Sequence, residues 1–171
     1  MIIGNLTFPN DDDSPLCRMI RMLGAQCIPS RDPEVLSIAD GLILSGTGDP
    51  ATAMRSLQTL HCTRWLQEYK QPVLGVNMGM HLLFESRNDG DGDGTRFLGL
   101  LPGRVESFHS CDCPSPNMGW HRLQPSREHS LLNGLMPNER FYYIHREFIE
   151  PTPCTLATST CWNTFSAVVA D

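Results

Sequence analysis

The fold is decided by the stretch Pro72-Val-Leu-Gly-Val-Asn-Met-Gly-Met-His-Leu-Leu-Phe-Glu85. Its apolar start, glycine-containing middle and apolar-periodic end predict a short buried strand, a sharp turn and a helix. The turn Gly75-Val-Asn-Met-Gly79 has the spacing of a nucleophile elbow, in which a strand turns directly into a helix. The two glycines allow backbone to approach backbone where a Cβ would clash. The residue at the apex, Asn77, is therefore predicted to have a positive φ.

Asn77 stands where the chemistry of an elbow requires serine or cysteine. A carboxamide has neither a lone pair basic enough to attack a carbonyl nor a proton whose loss would create one. Asparagine is, however, among the few non-glycine residues that tolerate a positive φ. The sequence thus predicts an elbow that keeps its shape and has no nucleophile.

Upstream of the elbow, apolar runs alternate with helical patterns. The predicted elements are a strand within residues 1–7 with a loop at Asn5, a helix from Pro15 to Gly24, a strand over 41–45 and a helix over about 51–69. The expected inward side chains of the two helices are Leu16, Met19, Ile20, Leu23, Leu57, Leu60, Trp65 and Leu66. This alternation implies right-handed crossovers and a mainly parallel sheet, whose sites lie at the carboxyl ends of its strands. The glycine turns at 45–50 and 75–79 both lie at such ends and are expected to face one crevice.

From Phe97 onward the chain consists of short extended runs separated by glycine and proline, which predict antiparallel strands and hairpins. We see neither an internal repeat nor a linker, so one domain spanning residues 1–171 is expected. The predicted fold class is α/β, with a mainly parallel sheet flanked by helices and an antiparallel C-terminal extension.

The composition is that of an ordinary globular protein, with 40% hydrophobic and 19% charged residues. No apolar run reaches the roughly 18 residues of a membrane span. The N-terminus lacks the basic region of a signal peptide. A formal net charge of −6 without a basic stripe argues against nucleic acid as a partner. Seven cysteines in a chain without an export signal indicate reduced thiols and a cytoplasmic location.

Two segments contain metal-ligand residues, but neither forms a complete ligand set. His109, Cys111 and Cys113 are candidate zinc ligands, yet no second pair completes four, and ordinary loop residues are the alternative. The loop 89–94 matches the first half of a calcium loop, but Leu100 occupies the position of the bidentate glutamate. A flexible acidic loop is therefore favoured, and no metal or cofactor is predicted.

Five stretches, at 39–48, 72–86, 98–105, 117–120 and 141–145, carry a resemblance to a known family. In that order they resemble the class I (triad) glutamine amidotransferases, and most of all the glutaminase subunit of imidazole glycerol phosphate synthase. The Leu-Pro-Gly-Arg-Val and Met-Gly-Trp pieces are specific to that subunit. The Gly-Asp-Pro of the first turn departs from it and is similar to the carbamoyl-phosphate and anthranilate enzymes.

The resemblance implies a flavodoxin-like fold. Members of the resembled family hydrolyse glutamine and pass the ammonia to a synthase. In that family a cysteine at the elbow attacks the amide, a late His-Pro-Glu motif completes the triad, and backbone N–H groups form an oxyanion hole. Residue by residue, Asn77 then occupies the nucleophile position, and Gly46, Gly48 and Met78 occupy the oxyanion positions. No intact catalytic set is expected.

The remaining family positions also differ in this chain. His81 stands where the family has a glutamine beside the substrate, and is either a ligand contact or a partly exposed helix residue. The His-Pro-Glu motif has no counterpart, so the fold is expected to be C-terminally shortened, with a sheet edge that a partner or self-association covers. The pair His145 and Glu147 is a candidate substitute dyad, unless His145 is merely a strand-end residue with a satisfied hydrogen bond.

Three interpretations follow. The favoured one is a catalytically inactive amidotransferase-like protein that binds a (β/α)8-barrel cyclase-like synthase subunit, as the resemblance implies, or associates with itself. The second is a glutamine amidotransferase subunit, or an enzyme with altered hydrolase or transferase chemistry in the same crevice, using His81, His145 and Glu147. The third is a fragment that retains only the fold.

Overall fold

The structure, a computed structural model, describes residues 1–8, 15–90, 94–108 and 115–171. The candidate zinc residues His109, Cys111 and Cys113 lie outside the described residues. The described chain forms two compact units, the first made of Met1–Leu83 and Phe97–Leu100, the second of Phe84–Arg96 and Leu101–Asp171. A single domain over 1–171 stays a prediction. None of the helices in the described ranges is long and apolar enough to cross a membrane.

The first unit is built on a four-stranded sheet of order β2-β1-β3-β4. All three pairings are parallel, which confirms the predicted parallel sheet. Its strands are β1 (Ile2–Leu6), β2 (Gln26–Ser30), β3 (Gly41–Gly46) and β4 (Val73–Asn77). Its helices are α1 (Pro15–Met22), α2 (Pro33–Leu36), α3 (Pro50–Thr59), α4 (Cys62–Glu68) and α5 (Met78–Leu82).

Strand β3 forms the centre of the first unit. It lies between β1 and β4, and its first five residues are all buried. A central parallel strand is covered on both faces, which is why Gly41-Leu-Ile-Leu-Ser45 is too apolar to alternate. The largest fully buried side chains around it are Leu6, Leu36, Leu42, Leu44, Leu57, Leu66, Leu82 and Leu98. At about 1.5–3 kcal/mol for each leucine buried, they supply much of the stabilising free energy.

Asn5 is not in a loop, so that prediction is wrong. It lies within β1 and is fully buried. The Ser45 hydroxyl donates to Asn5 Oδ1 at 3.2 Å, and Asn5 Nδ2 contacts Cys17 Sγ at 3.3 Å. A buried amide is tolerated because its hydrogen bonds are made inside the core.

The long helix expected over 51–69 is also wrong, because it is two helices. Helix α3 ends at Thr59, and His61, with φ 54°, takes the left-handed conformation before α4 begins.

The residues that the helices bury also differ from those predicted. In α1 the buried residues are Cys17 and Ile20, which pack with Cys27 and Ile43. The expected inward residues that are exposed instead are Met19, Leu23 and Leu60.

The second unit contains only short strands and one 3₁₀ turn among its described residues, as the runs after Phe97 predict. Its sheets have the orders β10-β8, β11-β7-β5-β6 and β13-β12-β9. The pairings are antiparallel except that of β5 with β7. The strands are β5 (Ser86–Arg87), β6 (Thr95–Arg96), β7 (Arg104–Ser107), β8 (Asn117–Arg122), β9 (Gln124–Pro125), β10 (Arg140–His145), β11 (Glu147–Ile149), β12 (Thr155–Thr160) and β13 (Thr164–Val169), and the 3₁₀ turn is Ser130–Leu132.

The elbow depends on two close backbone approaches. A Cβ at Gly75 would lie 2.6 Å from the Gly79 carbonyl oxygen and from Met80 Cα. A Cβ at Gly79 would run into the carbonyl oxygen of Leu44 on β3. The glycines are therefore needed to hold α5 against the sheet, whatever the apex residue does.

Replacing Gly79 by alanine is expected to lower the free energy of unfolding by about 3 kcal/mol or more, because the obstacle is backbone and cannot rotate away. Gly24→Ala is the matched control. Gly24 has φ 83° and open space around it, so this change carries only the conformational cost, about 1–2 kcal/mol. Urea unfolding of both variants measures the difference. Equal losses for the two variants would contradict the steric account of the elbow.

Candidate functional site

The apex of the elbow has the strained geometry that its glycines predict. Strand β4 ends at Asn77, α5 begins at Met78, and Asn77 has φ 55° and ψ −119°. The predicted positive φ is confirmed. This region of backbone space favours glycine, and a non-glycine residue held there costs on the order of 1–3 kcal/mol.

The second glycine turn lies directly beside the elbow. Gly46 at the end of β3 is the register partner of Asn77 at the end of β4. Gly48 follows with φ 116°, and the Asp49 carboxylate then caps α3 by accepting from the Thr52 N–H at 2.9 Å. The two turns thus occupy neighbouring strand ends at one edge of the sheet, as expected for parallel strands.

The side chain of Met78 fills part of the space between the turns. A Cβ on Gly46 would lie 2.6 Å from Met78 Cε and 3.1 Å from the Phe8 ring. Met78 itself is 4% exposed. The absence of a side chain at Gly46 is therefore what lets Met78 pack beneath the apex.

His81 is buried, with 6% of its surface exposed, so the expectation of a partly exposed helix residue is wrong. The reason is the packing of α5. All but one of its five residues are buried, because the helix lies close against β3 and β4.

The thiols of the first unit are poor nucleophiles. Cys17, Cys27 and Cys62 are buried in this unit. Burial, reinforced by the neighbouring Cys17, raises the pKa of the Cys27 thiol to about 12. Burial and the charge of Asp32 likewise raise the pKa of the Cys62 thiol. At neutral pH Cys27 and Cys62 remain protonated, and the thiolate is the reactive form.

The other predicted pair, His145 and Glu147, belongs to the second unit. His145 ends β10, and its Nδ1 lies 2.7 Å from the backbone carbonyl of Glu147. The Glu147 carboxylate accepts from Arg87 at 2.9 Å. The elbow positions Asn77 and Met78 are in the first unit, so the predicted site residues divide between the two units.

The hydrogen bonds around His145 indicate where its ring carries a proton. A backbone carbonyl only accepts, so His145 Nδ1 carries the proton. Its Nε2 then accepts from Asn117 Nδ2 at 2.7 Å, and Asn117 Oδ1 accepts from His121 Nε2 at 3.0 Å. Asn117 and His121 were missed from sequence, although both lie on the same face of β8 and pair with the β10 face that carries His145. The alternation of side chains along a strand is the signal that could have found them.

Asp89 of the candidate calcium loop has protein partners. Its carboxylate pairs with Arg87 at 2.6 Å and accepts from the Thr95 hydroxyl at 2.7 Å. The hydrogen bond from Thr95, followed by that from Arg87, holds the pKa of Asp89 below its ordinary value. These contacts tie β5 to β6. Asp91 and Asp93 of the same loop lie outside the described residues, and within the described ranges no three acidic, cysteine or histidine side chains form a metal-ligand group.

Replacing Asn77 by glycine is expected to raise the free energy of unfolding by about 1 kcal/mol. Relief of backbone strain outweighs the greater conformational entropy that glycine has in the unfolded chain. Asn77→Ala keeps the strain and is expected to be no more stable than the wild type. Urea unfolding distinguishes the two, and a glycine variant less stable than the alanine variant would show that the apex is not strained.

The Nδ1 nitrogen of the His145 ring is expected to carry a proton in the native protein, as read by ¹⁵N NMR of the imidazole nitrogens. Asn117→Asp replaces the Nδ2 donor by a carboxylate oxygen, so His145 Nε2 should then carry a proton as well. Asn117→Ser is the uncharged control. A wild-type ring protonated at Nε2 alone would contradict the assigned hydrogen-bond directions.

Comparison with known proteins shows the family of the chain, although no family model matches it. The HisH subunit of imidazole glycerol phosphate synthase from Pasteurella multocida is 35% identical over 136 residues, covering 80% of this chain and 67% of that protein. The HisH subunit from Vibrio cholerae is 33% identical over 153 residues, covering 88% and 75%. A crystal structure of a glutamine amidotransferase matches with a TM-score of 0.65 at 17% identity, covering 92% of this chain and 79% of that one, and so shows the fold. The chain therefore belongs to the family of the imidazole glycerol phosphate synthase subunit HisH and has the class I glutamine amidotransferase fold.

Proposed function

We propose that this chain is a glutamine amidotransferase-like subunit that does not hydrolyse glutamine and acts as a binding or regulatory partner of a synthase. The observation that carries the proposal is Asn77 at the apex of the elbow, with φ 55° and ψ −119°. The turn has the shape that presents a nucleophile, and the side chain presented is a carboxamide.

The chemical consequence is large. In the family that the sequence resembles, the elbow residue is a cysteine that attacks the side-chain amide of glutamine. Loss of the nucleophile from such a unit typically costs on the order of 10⁶ in rate. Asn77 offers neither a thiolate nor an alkoxide, so no covalent intermediate forms on it.

The buried thiols of the first unit give no substitute. Cys17, Cys27 and Cys62 are buried, and burial keeps the last two protonated. A replacement nucleophile would need an exposed thiolate beside the apex.

The other proposed site residues are better explained by a role in keeping the fold than by a role in catalysis. Gly46, Gly48 and Met78 keep the backbone of the proposed oxyanion turn, where the glycines serve the fold with or without catalysis. His145 and Glu147 hold hydrogen-bonded positions with Asn117 and Arg87, which support a structural role. His81, buried on α5, is the remaining candidate for a ligand contact.

A partner follows from the family. The relatives carry the name of a synthase subunit, so a synthase subunit is the natural binding partner to propose here. By the resemblance, that partner is a (β/α)8-barrel cyclase. In such a complex the present chain would stabilise or regulate the synthase, which would draw on free ammonia.

The decisive experiment compares the wild-type chain with Asn77→Ala for glutamate release from saturating glutamine, each with and without the second subunit of Vibrio cholerae imidazole glycerol phosphate synthase. The complete Vibrio cholerae synthase is the positive control. We expect the wild type to match the alanine variant within twofold, at the background of the assay.

Two results would contradict the proposal. A wild-type rate at least tenfold above Asn77→Ala would mean that Asn77 takes part in the reaction. Equal rates well above background would mean that other residues catalyse it, and His81→Ala, His145→Gln and Glu147→Gln would then identify them. Circular dichroism of each variant confirms that the fold is retained.

A further inference from the structure

A cleft of about 540 Å³ opens in the second unit, between the start of β8 and the turn that joins β12 to β13. Its apolar walls are Pro116, Met118 and Trp162, and the described residues that line it include no carboxylate, lysine or arginine. Small-molecule sites typically have volumes of roughly 300–1,000 Å³, mostly apolar walls and a few placed polar groups. This cleft, which we call the thiol cleft, fits that description.

Cys161 brings a free thiol to the thiol cleft. It is the first residue of the turn over 161–163, and its side chain is half-buried. Its Sγ lies 3.9 Å from the Asn163 carbonyl oxygen. Because a thiol is a weak donor, this long contact holds its proton only loosely. The thiol can therefore give its proton to a better acceptor.

His121 offers such an acceptor in the same cleft. Asn117 Oδ1 can only accept, so its hydrogen bond of 3.0 Å with His121 Nε2 requires a proton on that nitrogen. In the neutral ring, Nδ1 is then the nitrogen that accepts. A thiol, an imidazole and an amide that orients the imidazole form an arrangement by which cysteine nucleophiles are activated.

One aromatic cluster supports both reactive side chains. Cys161 packs against the buried cluster Phe108, Phe148 and Phe165. Tyr143 packs on the same cluster, and its ring contacts the His121 ring with centroids 5.7 Å apart. His145, which hydrogen-bonds Asn117, contacts Phe165 with ring centroids 4.9 Å apart. The imidazole and the turn that carries the thiol are thus held by the same packing.

We propose that Cys161 is a site of reversible thiolation by a small, uncharged disulfide that binds in the thiol cleft, with His121 as the proton acceptor. This inference goes beyond the proposed function and does not depend on it. Cys161 and His121 belong to the second unit, whereas the elbow belongs to the first.

The reaction is a thiol–disulfide exchange. The Cys161 sulfur attacks one sulfur of the bound disulfide, a new S–S bond forms, and the S–S bond of the disulfide breaks. The electron pair of the broken bond leaves with the second sulfur as a thiolate. The Cys161 proton passes to His121 Nδ1 and from there to the departing thiolate. Cys161 is oxidised to a mixed disulfide, and the released thiol is the reduced product.

The walls of the cleft indicate the class of disulfide. A charged group loses its hydration when it is buried, and this cost is repaid only by a paired charge or hydrogen bonds. The lining residues of the thiol cleft supply no paired carboxylate, lysine or arginine. An uncharged disulfide avoids the cost and places its apolar part against Met118 and Trp162.

The test treats the whole chain with bis(2-hydroxyethyl) disulfide at neutral pH and follows the adduct at each cysteine by peptide mass mapping. Cys154 is the internal control, since its thiol is also half-buried but does not line the cleft. We expect Cys161 to react at least tenfold faster than Cys154. Its rate should level off as the disulfide concentration rises, because binding precedes reaction, whereas the rate at Cys154 should rise linearly.

The role of His121 has its own variant. His121→Gln should slow the reaction at Cys161 about tenfold or more at neutral pH, because a positioned base typically contributes on the order of 10² or more. His129→Gln, outside the cleft, is the matched control, and neither variant should change the rate at Cys154. At about pH 10, hydroxide removes the thiol proton, so His121→Gln should approach the wild type. A loss that persists at that pH would overturn His121 as the proton acceptor.

Three outcomes would overturn the site itself. Equal rates at Cys161 and Cys154 would mean that the cleft does not promote the reaction. A rate at Cys161 that rises linearly with disulfide concentration would mean that no disulfide binds there before it reacts. A disulfide between Cys161 and another cysteine of the chain, in place of the adduct, would mean that the partner of this thiol is internal.

Discussion

The first unit depends on the contact between the backbone of Gly79 and the carbonyl of Leu44, which leaves no room for a Cβ. This approach brings α5 onto β3 immediately after β4 ends, and there is no loop between strand and helix. The chain can make that turn only if the residue at its apex takes a positive φ. The strain at Asn77 and the burial of Met78 and His81 all follow from this one contact.

Because the constraint is steric, it is independent of catalysis. The turn requires glycine at 75 and 79 and a residue tolerant of positive φ at 77, and asparagine meets the last condition without offering a nucleophile. The same sheet edge keeps Gly46 beside Asn77. The backbone shape of the elbow therefore does not depend on the reactivity of its apex side chain. The elbow indicates ancestry and fold, whereas the residue at its apex determines whether it can react.

The sequence predicted the features that local chemistry determines. The parallel sheet, the buried β3, the elbow and the positive φ of Asn77 follow from periodicity and from glycine positions. Features that depend on distant partners could not be predicted. Asn5 is in a strand because Ser45 and Cys17 complete its hydrogen bonds, and Met19 is exposed because α1 presents Cys17 and Ile20 to the core. The outward turn of Trp120 and Tyr142 likewise requires the register of β8 on β10.

The central claim is that the elbow carries no nucleophile, and covalent labelling tests it most directly. The chain is incubated with an electrophilic diazoketone analogue of glutamine in the presence of the synthase subunit, and its intact mass is measured. No adduct in the 75–79 turn or beside it is expected for the wild type, because Asn77 cannot displace the leaving group and the Cys27 and Cys62 thiols are buried and protonated. One equivalent of adduct, mapped by peptide sequencing to the 75–79 turn or to a residue beside it, would contradict the claim.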